Sequence, residues 1–182
     1  MKRISEKIVH EGKWLCVQES TYQTKHGKTI IWEHIKRKRS TTGVVVVAKL
    51  KPSNRIILIK QFRPAAEGYV LGFPAGLAFG DPKHALVELK EETGYVGKIV
   101  GVSPVLKTGS TITNESGLIV CIEVNERLKA NKNPQQQLET GEDITVHVVK
   151  KSQMLKFIQA QQKEGVHIAS TLWYLFGLKN WI

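Results

Sequence analysis

The chain has 182 residues, which is the length of one domain with room for a small appendage. Its hydrophobic fraction of 41% and charged fraction of 24% are those of an ordinary globular protein, and no run of 18 apolar residues predicts a membrane span. The net charge of +11 favours an anionic partner, such as a phosphate, a nucleic acid or an acidic membrane surface.

The segment that begins at Met1 lacks the apolar core of a signal peptide, so we expect a soluble, cytoplasmic protein. Cys16, Cys121 and the six histidines show no metal-binding spacing. The basic residues are scattered and are not clustered with interleaved aromatic residues. We therefore expect neither a nucleic acid nor a membrane as the partner.

The N-terminal quarter of the chain predicts a β-meander at residues 4–38, because strand-like segments alternate there with turn residues. The polar connection at residues 40–43 predicts a boundary. We therefore expect an N-terminal β subdomain at residues 1–41 and the main domain at residues 42–182.

The rest of the chain alternates between strand-like and helical segments. The predicted strands are residues 44–48, 55–62, 98–106, 117–124 and 144–149. The polar residues 130–137 predict a mobile loop. One helix is predicted from Ser152 to about Lys163, and another, rich in aromatic residues and expected to be mostly buried, at residues 169–178. This order predicts an α/β protein with a mixed sheet between helices.

A short helix in the middle of the chain carries the most informative pattern. Asp81 is a good N-cap, Pro82 suits the first helical position, and Gly94 suits the position after the last turn, near Thr93. The helical period places Ala85, Leu86 and Leu89 on one apolar arc, which should face the core. The neighbouring arc carries three carboxylates, those of Glu88, Glu91 and Glu92.

Three like charges on one arc repel each other by a few tenths of a kcal/mol per pair. A divalent cation reverses the sign of this interaction, because Mg²⁺ and Mn²⁺ prefer hard oxygen ligands. The alternative is that the three glutamates form an ordinary solvated acidic face.

Residues 87–95 resemble the second half of the Nudix box, in which Arg-Glu-apolar-x-Glu-Glu-x-Gly-apolar binds metal. The pattern's Arg is replaced by Val87, and the spacing from Gly76 to Glu88 is 12 positions where the box has 15. The early glutamate of the box is absent from the shortened loop. The metal-binding half is therefore present, and the loop half is altered.

Four further segments resemble the ADP-ribose and nucleoside-diphosphate-sugar branch of the Nudix hydrolases. They are Trp32-Glu33 with Arg37, Gln61-Phe-Arg-Pro64, Pro74-Ala-Gly76 and Glu142-Asp143-Ile144. The resemblance implies a Nudix fold, which is an α/β/α sandwich with a mixed sheet, plus an N-terminal antiparallel β subdomain. It also implies Mg²⁺- or Mn²⁺-dependent cleavage of the diphosphate to a nucleoside monophosphate and a sugar phosphate.

The resemblance assigns roles to particular residues. The backbone carbonyl of Ala75 would bind metal beside Glu88 and Glu92, with Glu91 as a further ligand or a supporting group. The substrate-binding residues would be Gln61, Arg63, Arg37, Trp32 and Glu33. The planar guanidinium of Arg63 suits a diphosphate, and Arg37 would contact a phosphate or a ribose. Trp32 could stack on the face of a purine, and Glu33 could accept a hydrogen bond from an amine or a hydroxyl group.

Each substrate role has an ordinary structural alternative. Arg63 could pair with a surface carboxylate, Arg37 could belong to a charged strand edge, and Trp32 could pack in a core. In this branch the base lies between aromatic residues from the N-terminal subdomains of two subunits, which implies a homodimer. Trp14 is a second candidate for that stacking role.

The acid that orients the attacking water would lie on the loop before the last core strand. The position that aligns with the base of the branch is Thr140, which cannot accept a proton at neutral pH. Glu139 and Glu142 are the candidates that remain, and the alternative for both is a solvated loop acid.

Two other functions remain open at this stage. One alternative is a nucleotide-sugar binding protein of the same fold with impaired catalysis. It is indicated by the departures from the family pattern at Val87, in the shortened loop and at Thr140. The basic charge suits a Nudix hydrolase that acts on RNA ends or dinucleotide polyphosphates.

Overall fold

The computed structural model describes residues 1–39 and 42–178. The first three strands, β1 (Lys2–Glu11), β2 (Leu15–Gln23) and β3 (Thr29–Arg37), form a separate antiparallel sheet in that order. The meander predicted for residues 4–38 is therefore confirmed. Ser40 and Thr41, where we placed the subdomain boundary, lie outside the described residues, and Gly43 of the predicted connection is already strand.

Within the described residues, the main sheet has nine strands. They are β4 (Thr42–Lys51), β5 (Arg55–Arg63), β6 (Gly68–Gly72), β7 (Ala75–Leu77), β8 (Lys98–Val102), β9 (Leu106–Lys107), β10 (Ser116–Asn125), β11 (Ile144–Lys150) and β12 (His167–Ile168). The central order is β12-β6-β5-β4-β10-β8, with β11 paired to β5, β7 to β4 and β9 to β10. The β4–β10 and β6–β12 pairs are parallel and the other pairs are antiparallel, so the sheet is mixed, as predicted.

In the part of the chain that the structure describes, three α-helices, α1 (His84–Thr93), α2 (Met154–Lys163) and α3 (Ser170–Phe176), enclose two hydrophobic cores. Ala85 and Leu89 of α1 pack with the inward side chains of β4 and β10 in one core. Ile158 of α2 and Leu172 of α3 pack with β5 and β6 in the other. The architecture is therefore the expected α/β/α sandwich. No helix in the described part of the chain is long and apolar enough to span a bilayer.

Two details of the helices differ from the sequence prediction. The helix α1 begins at His84, because the Asp81 side chain caps an earlier turn, where Oδ1 accepts a hydrogen bond from the Lys83 N–H at 2.9 Å. The helix α3 is not mostly buried: Leu172 is buried, but Tyr174 is 66% exposed. A helix of seven residues beside a sheet can bury only the side chains on the one face that contacts the sheet. The prediction was based on the number of aromatic residues and did not consider which of them lie on that face.

The polar residues 130–137 are anchored and do not form the loose loop that we predicted. Asn131 is buried, accepts a hydrogen bond from Val96 N at 2.9 Å and donates from Nδ2 to the carbonyls of Val96 and Asn125. Further along, Gln137 N donates to the Glu91 carbonyl of α1 at 2.8 Å. Hydrogen bonds to backbone groups of other segments, which composition does not reveal, hold these residues in place.

Gly94 allows this segment to approach the end of α1. Its φ of +75° lies in the left-handed region, and a Cβ added there would lie 2.3 Å from the Gln135 backbone nitrogen. The helix end and the loop can therefore pack only if residue 94 has no side chain.

We predict that Gly94→Ala lowers the free energy of unfolding more than Gly80→Ala does. Both glycines have positive φ, but a Cβ at Gly80 would meet no atom within 4 Å. Each substitution should cost about 1–2 kcal/mol for the left-handed backbone, and Gly94→Ala a further ~1–3 kcal/mol for overpacking. Urea denaturation measures both values, and equal losses would contradict the proposed close packing.

Candidate active site

A cleft of about 360 Å³ lies where β5 and β7 meet α1 and the loop before β11. Its lining combines polar and acidic groups from four separate parts of the chain. They are Gln61, Arg63, Ala75, Gly76, Leu77, Glu88, Glu91, Glu92, Glu139 and Glu142. The structure thus brings together all the predicted metal-binding residues, both predicted loop acids and two of the five predicted substrate-binding residues.

The glutamates of α1 lie against the strand β7. Glu92 is only 2% exposed, and its Oε2 accepts a hydrogen bond from the Ala75 N–H at 3.0 Å. A Cβ added to Gly76 would lie 1.9 Å from Oε1 of Glu88, so the Glu88 carboxylate occupies the space that any other residue would fill. Residues 75 and 76 of the Pro74-Ala-Gly76 segment therefore form the surface against which the two carboxylates pack.

Burial and mutual repulsion perturb these two carboxylates. The pKa of Glu92 is raised to about 8, mainly by burial and in smaller part by the charges of Glu88 and Glu142, although the hydrogen bond from the Ala75 N–H lowers it. The pKa of Glu88 is also raised, first by burial and then by Glu91, Glu142 and Glu139. The nearby Arg63 guanidinium acts in the opposite direction on Glu92. The cleft therefore holds more negative charge than its own groups compensate.

The donor set of the cleft fits a divalent cation. Carboxylate and carbonyl oxygens are the ligands that Mg²⁺ and Mn²⁺ prefer, and a cation would relieve the repulsion among the carboxylates. In residues 1–39 and 42–178, no three His, Cys, Asp or Glu side chains are already grouped closely enough to hold a metal ion. Binding therefore requires the carboxylates to turn toward the ion.

The loop before β11 reaches the cleft because of the strand register. Ile144 of β11 lies opposite Gln61 of β5, so the residues just before Ile144 lie beside the end of β5. Within the loop, Glu142 Oε2 accepts a hydrogen bond from the Glu139 N–H at 2.9 Å and closes a tight turn. Glu142 influences the pKa of both Glu88 and Glu92, and Glu139 that of Glu88.

Two residues of β5 complete the cleft. Arg63 is the last residue of the strand and is exposed, so its guanidinium is accessible to a ligand. Gln61 is 7% exposed, and its buried Oε1 has no hydrogen-bond partner among the described residues. A buried acceptor without a partner is costly, which indicates that a bound molecule or water donates to it.

The other three predicted substrate-binding residues, Trp32, Glu33 and Arg37, lie on β3 and do not line the cleft. Trp32 lines a second hollow of about 500 Å³ between the N-terminal sheet and residues 107–114, and its Nε1 donates to the Thr111 carbonyl at 3.3 Å. Glu33 is exposed. Arg37 forms an ion pair with Glu115, with Nε donating to Oε1.

Several residues that support these groups were missed at the sequence level. Glu115 holds Arg37, Tyr69 donates a hydrogen bond to Asp143 at the end of the acidic loop, and Gln136 bonds to the carbonyls of Glu92 and Ile144. The hydrogen bond to Asp143 is the main cause that raises the pKa of Tyr69. These contacts join residues 8 to 78 positions apart, so no local pattern could have revealed them.

Comparison with known proteins extends these observations. No protein-family model matches the chain. The chain is 32% identical over 184 residues to an ADP-sugar pyrophosphatase of Mus musculus, covering 96% of this chain and 84% of that protein. It is 32% identical over 169 residues to an uncharacterised Nudix hydrolase of Schizosaccharomyces pombe, covering 87% and 82%. The crystal structure of an ADP compounds hydrolase matches 87% of this chain and 82% of its own, with a TM-score of 0.68 and 18% identity.

The fold and the acidic cleft therefore define a hydrolase of the α/β/α sandwich class. The chain belongs to the Nudix hydrolases, as the similarity over most of its length shows.

We predict that metal-free Glu92→Gln is more stable than the metal-free wild type at pH 8. A carboxyl whose pKa is raised on folding stabilises the folded state below its unfolded value of 4.5, and that contribution is lost as the pH rises toward 8. Urea denaturation with a chelator at pH 5 and pH 8 should show a decrease of the order of 1–3 kcal/mol in the wild type and a smaller decrease in Glu92→Gln. Glu91→Gln, on a half-buried residue, is the matched control, and an equal effect of the two substitutions would contradict the prediction.

Proposed function

We propose that the protein hydrolyses the diphosphate of ADP-ribose or a related nucleoside diphosphate sugar, giving a nucleoside monophosphate and a sugar phosphate. The observation that carries the proposal is the cleft in which five glutamates face Arg63 and a buried, unpartnered Gln61 oxygen. The names of the similar proteins, an ADP-sugar pyrophosphatase among them, support this class of substrate. The bond to be broken would lie between Arg63 and the carboxylates of α1.

Arg63 would bind the diphosphate. Its planar guanidinium can donate two parallel hydrogen bonds to phosphate oxygens, which a lysine cannot do with the same geometry. Pro64 directly after it begins a short 3₁₀ turn, which limits the backbone freedom of this strand end. The Gln61 amide lies two residues earlier on the same strand and would accept a hydrogen bond from a substrate hydroxyl or from a water.

The Ala75 carbonyl, Glu88, Glu91 and Glu92 would hold Mg²⁺ or Mn²⁺. When bound, such an ion neutralises the phosphate charge and makes a bound water more acidic. The protein's own part is to bury Glu92 beside β7 and to keep the Glu88 carboxylate against Gly76, so that both lie in the cleft and can turn toward the ion.

Glu142 is our first choice for the carboxylate that orients the attacking water and, as general base, accepts its proton. Its charge raises the pKa of both Glu88 and Glu92, whereas the charge of Glu139 raises that of Glu88. One Glu142 oxygen accepts the hydrogen bond from the Glu139 N–H, which holds the carboxylate in one orientation. Thr140, which aligns with the base of related enzymes, contributes no carboxylate.

The N-terminal sheet, within a subdomain at residues 1–41, would bind the base and join two copies into a homodimer. Trp32 would stack on the base, Glu33 would accept from an amine or hydroxyl, and Arg37 would contact phosphate or ribose. The exposed Trp32 and the ion pair that orients Arg37 support these roles. The main domain at residues 42–182 would carry the chemistry on a small-molecule substrate.

A second candidate function is binding of a nucleotide sugar with impaired catalysis. Val87, where the Nudix box has an arginine, is 47% exposed on α1 beside the acidic arc, so no positive charge steadies the carboxylates from that position. Calorimetry with ADP-ribose and Mg²⁺ separates the two functions, because tight binding without heat from turnover would favour the binding protein.

We predict that the wild type releases AMP from ADP-ribose in the presence of Mg²⁺ and that Glu92→Gln reduces this rate by at least about a hundredfold. Chromatographic separation of AMP from ADP-ribose measures the rate. Glu123→Gln, on an exposed ion pair of β10 with Lys98, is the control and should leave the rate unchanged. A wild type that binds ADP-ribose but releases no AMP would refute the enzymatic proposal.

We also predict that Glu142→Gln lowers kcat by about 10²–10⁴-fold and Glu139→Gln by much less, because general base catalysis contributes on that scale. Steady-state kinetics on both variants tests the assignment. The reverse order of effects would identify Glu139 as the acid that orients the water.

A further inference from the structure

The acidic loop lies close to carboxylates that repel it. Glu139 and Glu142 face Glu88, and Glu142 also faces Glu92, all within one cleft. Like charges in a partly buried site repel one another more strongly than in bulk water, because less solvent screens them. Something else in the fold must therefore hold the loop against α1.

The Gln136 side chain spans the base of this loop. Its Nε2 donates to the carbonyl of Glu92 on α1 at 2.7 Å and to the carbonyl of Ile144 at the start of β11 at 3.2 Å. One amide group thus joins the segment before the loop, the strand after the loop and the helix that carries the metal-binding residues. Glu142 lies two residues before Ile144, inside the segment that this bridge closes.

Other hydrogen bonds also hold this loop, but each of them fixes only one of its two ends. Gln137 N donates to the Glu91 carbonyl at 2.8 Å, which places the first part of the loop along α1. At the other end, the Asp143 carbonyl accepts from Phe62 N at 3.1 Å, and the Asp143 carboxylate accepts from the Tyr69 hydroxyl. Among these contacts in the described residues, the Gln136 bridge is the one that joins both ends of the loop to the catalytic helix.

We propose that Gln136 is a positioning residue that holds Glu142 over the metal-binding carboxylates, so that the water-orienting acid stays in place despite their repulsion. This inference rests on the proposed function, because it assigns Gln136 a role in the diphosphate hydrolysis. Gln136 touches neither substrate nor metal in this scheme and acts through Glu142.

The test compares Gln136→Met with Gln135→Met. Methionine keeps the length of glutamine and removes both hydrogen bonds of Gln136. The amide of Gln135 bonds only to the Asn133 carbonyl, at 3.4 Å, so Gln135→Met is the matched control in the next position. We expect Gln136→Met to lower kcat by roughly ten- to a hundredfold, as a displaced catalytic group does, with KM changed less than about threefold. Gln135→Met should retain the wild-type kcat.

A double-mutant cycle with Glu142→Gln shows whether Gln136 acts through Glu142. If it does, adding Gln136→Met to Glu142→Gln should lower kcat by less than about twofold further. The inference would be overturned if the fold-losses in kcat of the two single variants multiplied in the double variant. It would also be overturned if Gln136→Met kept the wild-type kcat, or if Glu142→Gln did. Absence of AMP release by the wild type would instead refute the proposed function, so the two failures are distinguishable.

Discussion

The structure depends on one costly arrangement, the packing of two carboxylates, the buried Glu92 and the half-buried Glu88, against a strand. Glu88 and Glu92 project from the same face of α1 toward Ala75 and Gly76, where one accepts a backbone hydrogen bond and the other fills the space of a missing side chain. Buried carboxylates without a counterion destabilise a fold, so proteins keep them where a ligand compensates them. The groups of the cleft therefore compensate these carboxylates incompletely, which is the reason we propose that a cation binds there.

The mixed sheet makes this arrangement possible. The β4–β7 pairing presents Ala75 and Gly76 to α1, and α1 is held from behind by the apolar core that contains Ala85 and Leu89. The β5–β11 pairing brings the acidic loop to the end of β5, where Arg63 lies. The registers of these two antiparallel strand pairs thus determine which charged side chains lie close together. The core fixes the positions of the strands, because closely packed protein interiors deform little.

The N-terminal sheet is joined to the main domain through contacts at one loop. Ile35 N donates to the Ile112 carbonyl at 2.7 Å, Trp32 donates to Thr111, and Arg37 pairs with Glu115. Two of the residues proposed to bind substrate, Trp32 and Arg37, are therefore held by residues 109–115. This connection links the residues proposed to bind the base to β10 of the main sheet.

The sequence alone determined what depends on local periodicity. The acidic arc of Glu88, Glu91 and Glu92, the end of α1 at Gly94, the meander and the α/β order all follow from spacing, and the structure agrees with them. The family resemblance also named Ala75, Gln61, Arg63, Glu139 and Glu142, which line the cleft with that arc. Tertiary structure alone decided how the groups of the site are buried and paired. The burial of Glu92, the unpartnered Gln61 oxygen, the Arg37–Glu115 pair and the Gln136 bridge arise from contacts between distant segments, and such contacts depend on strand register and packing, which no local pattern encodes.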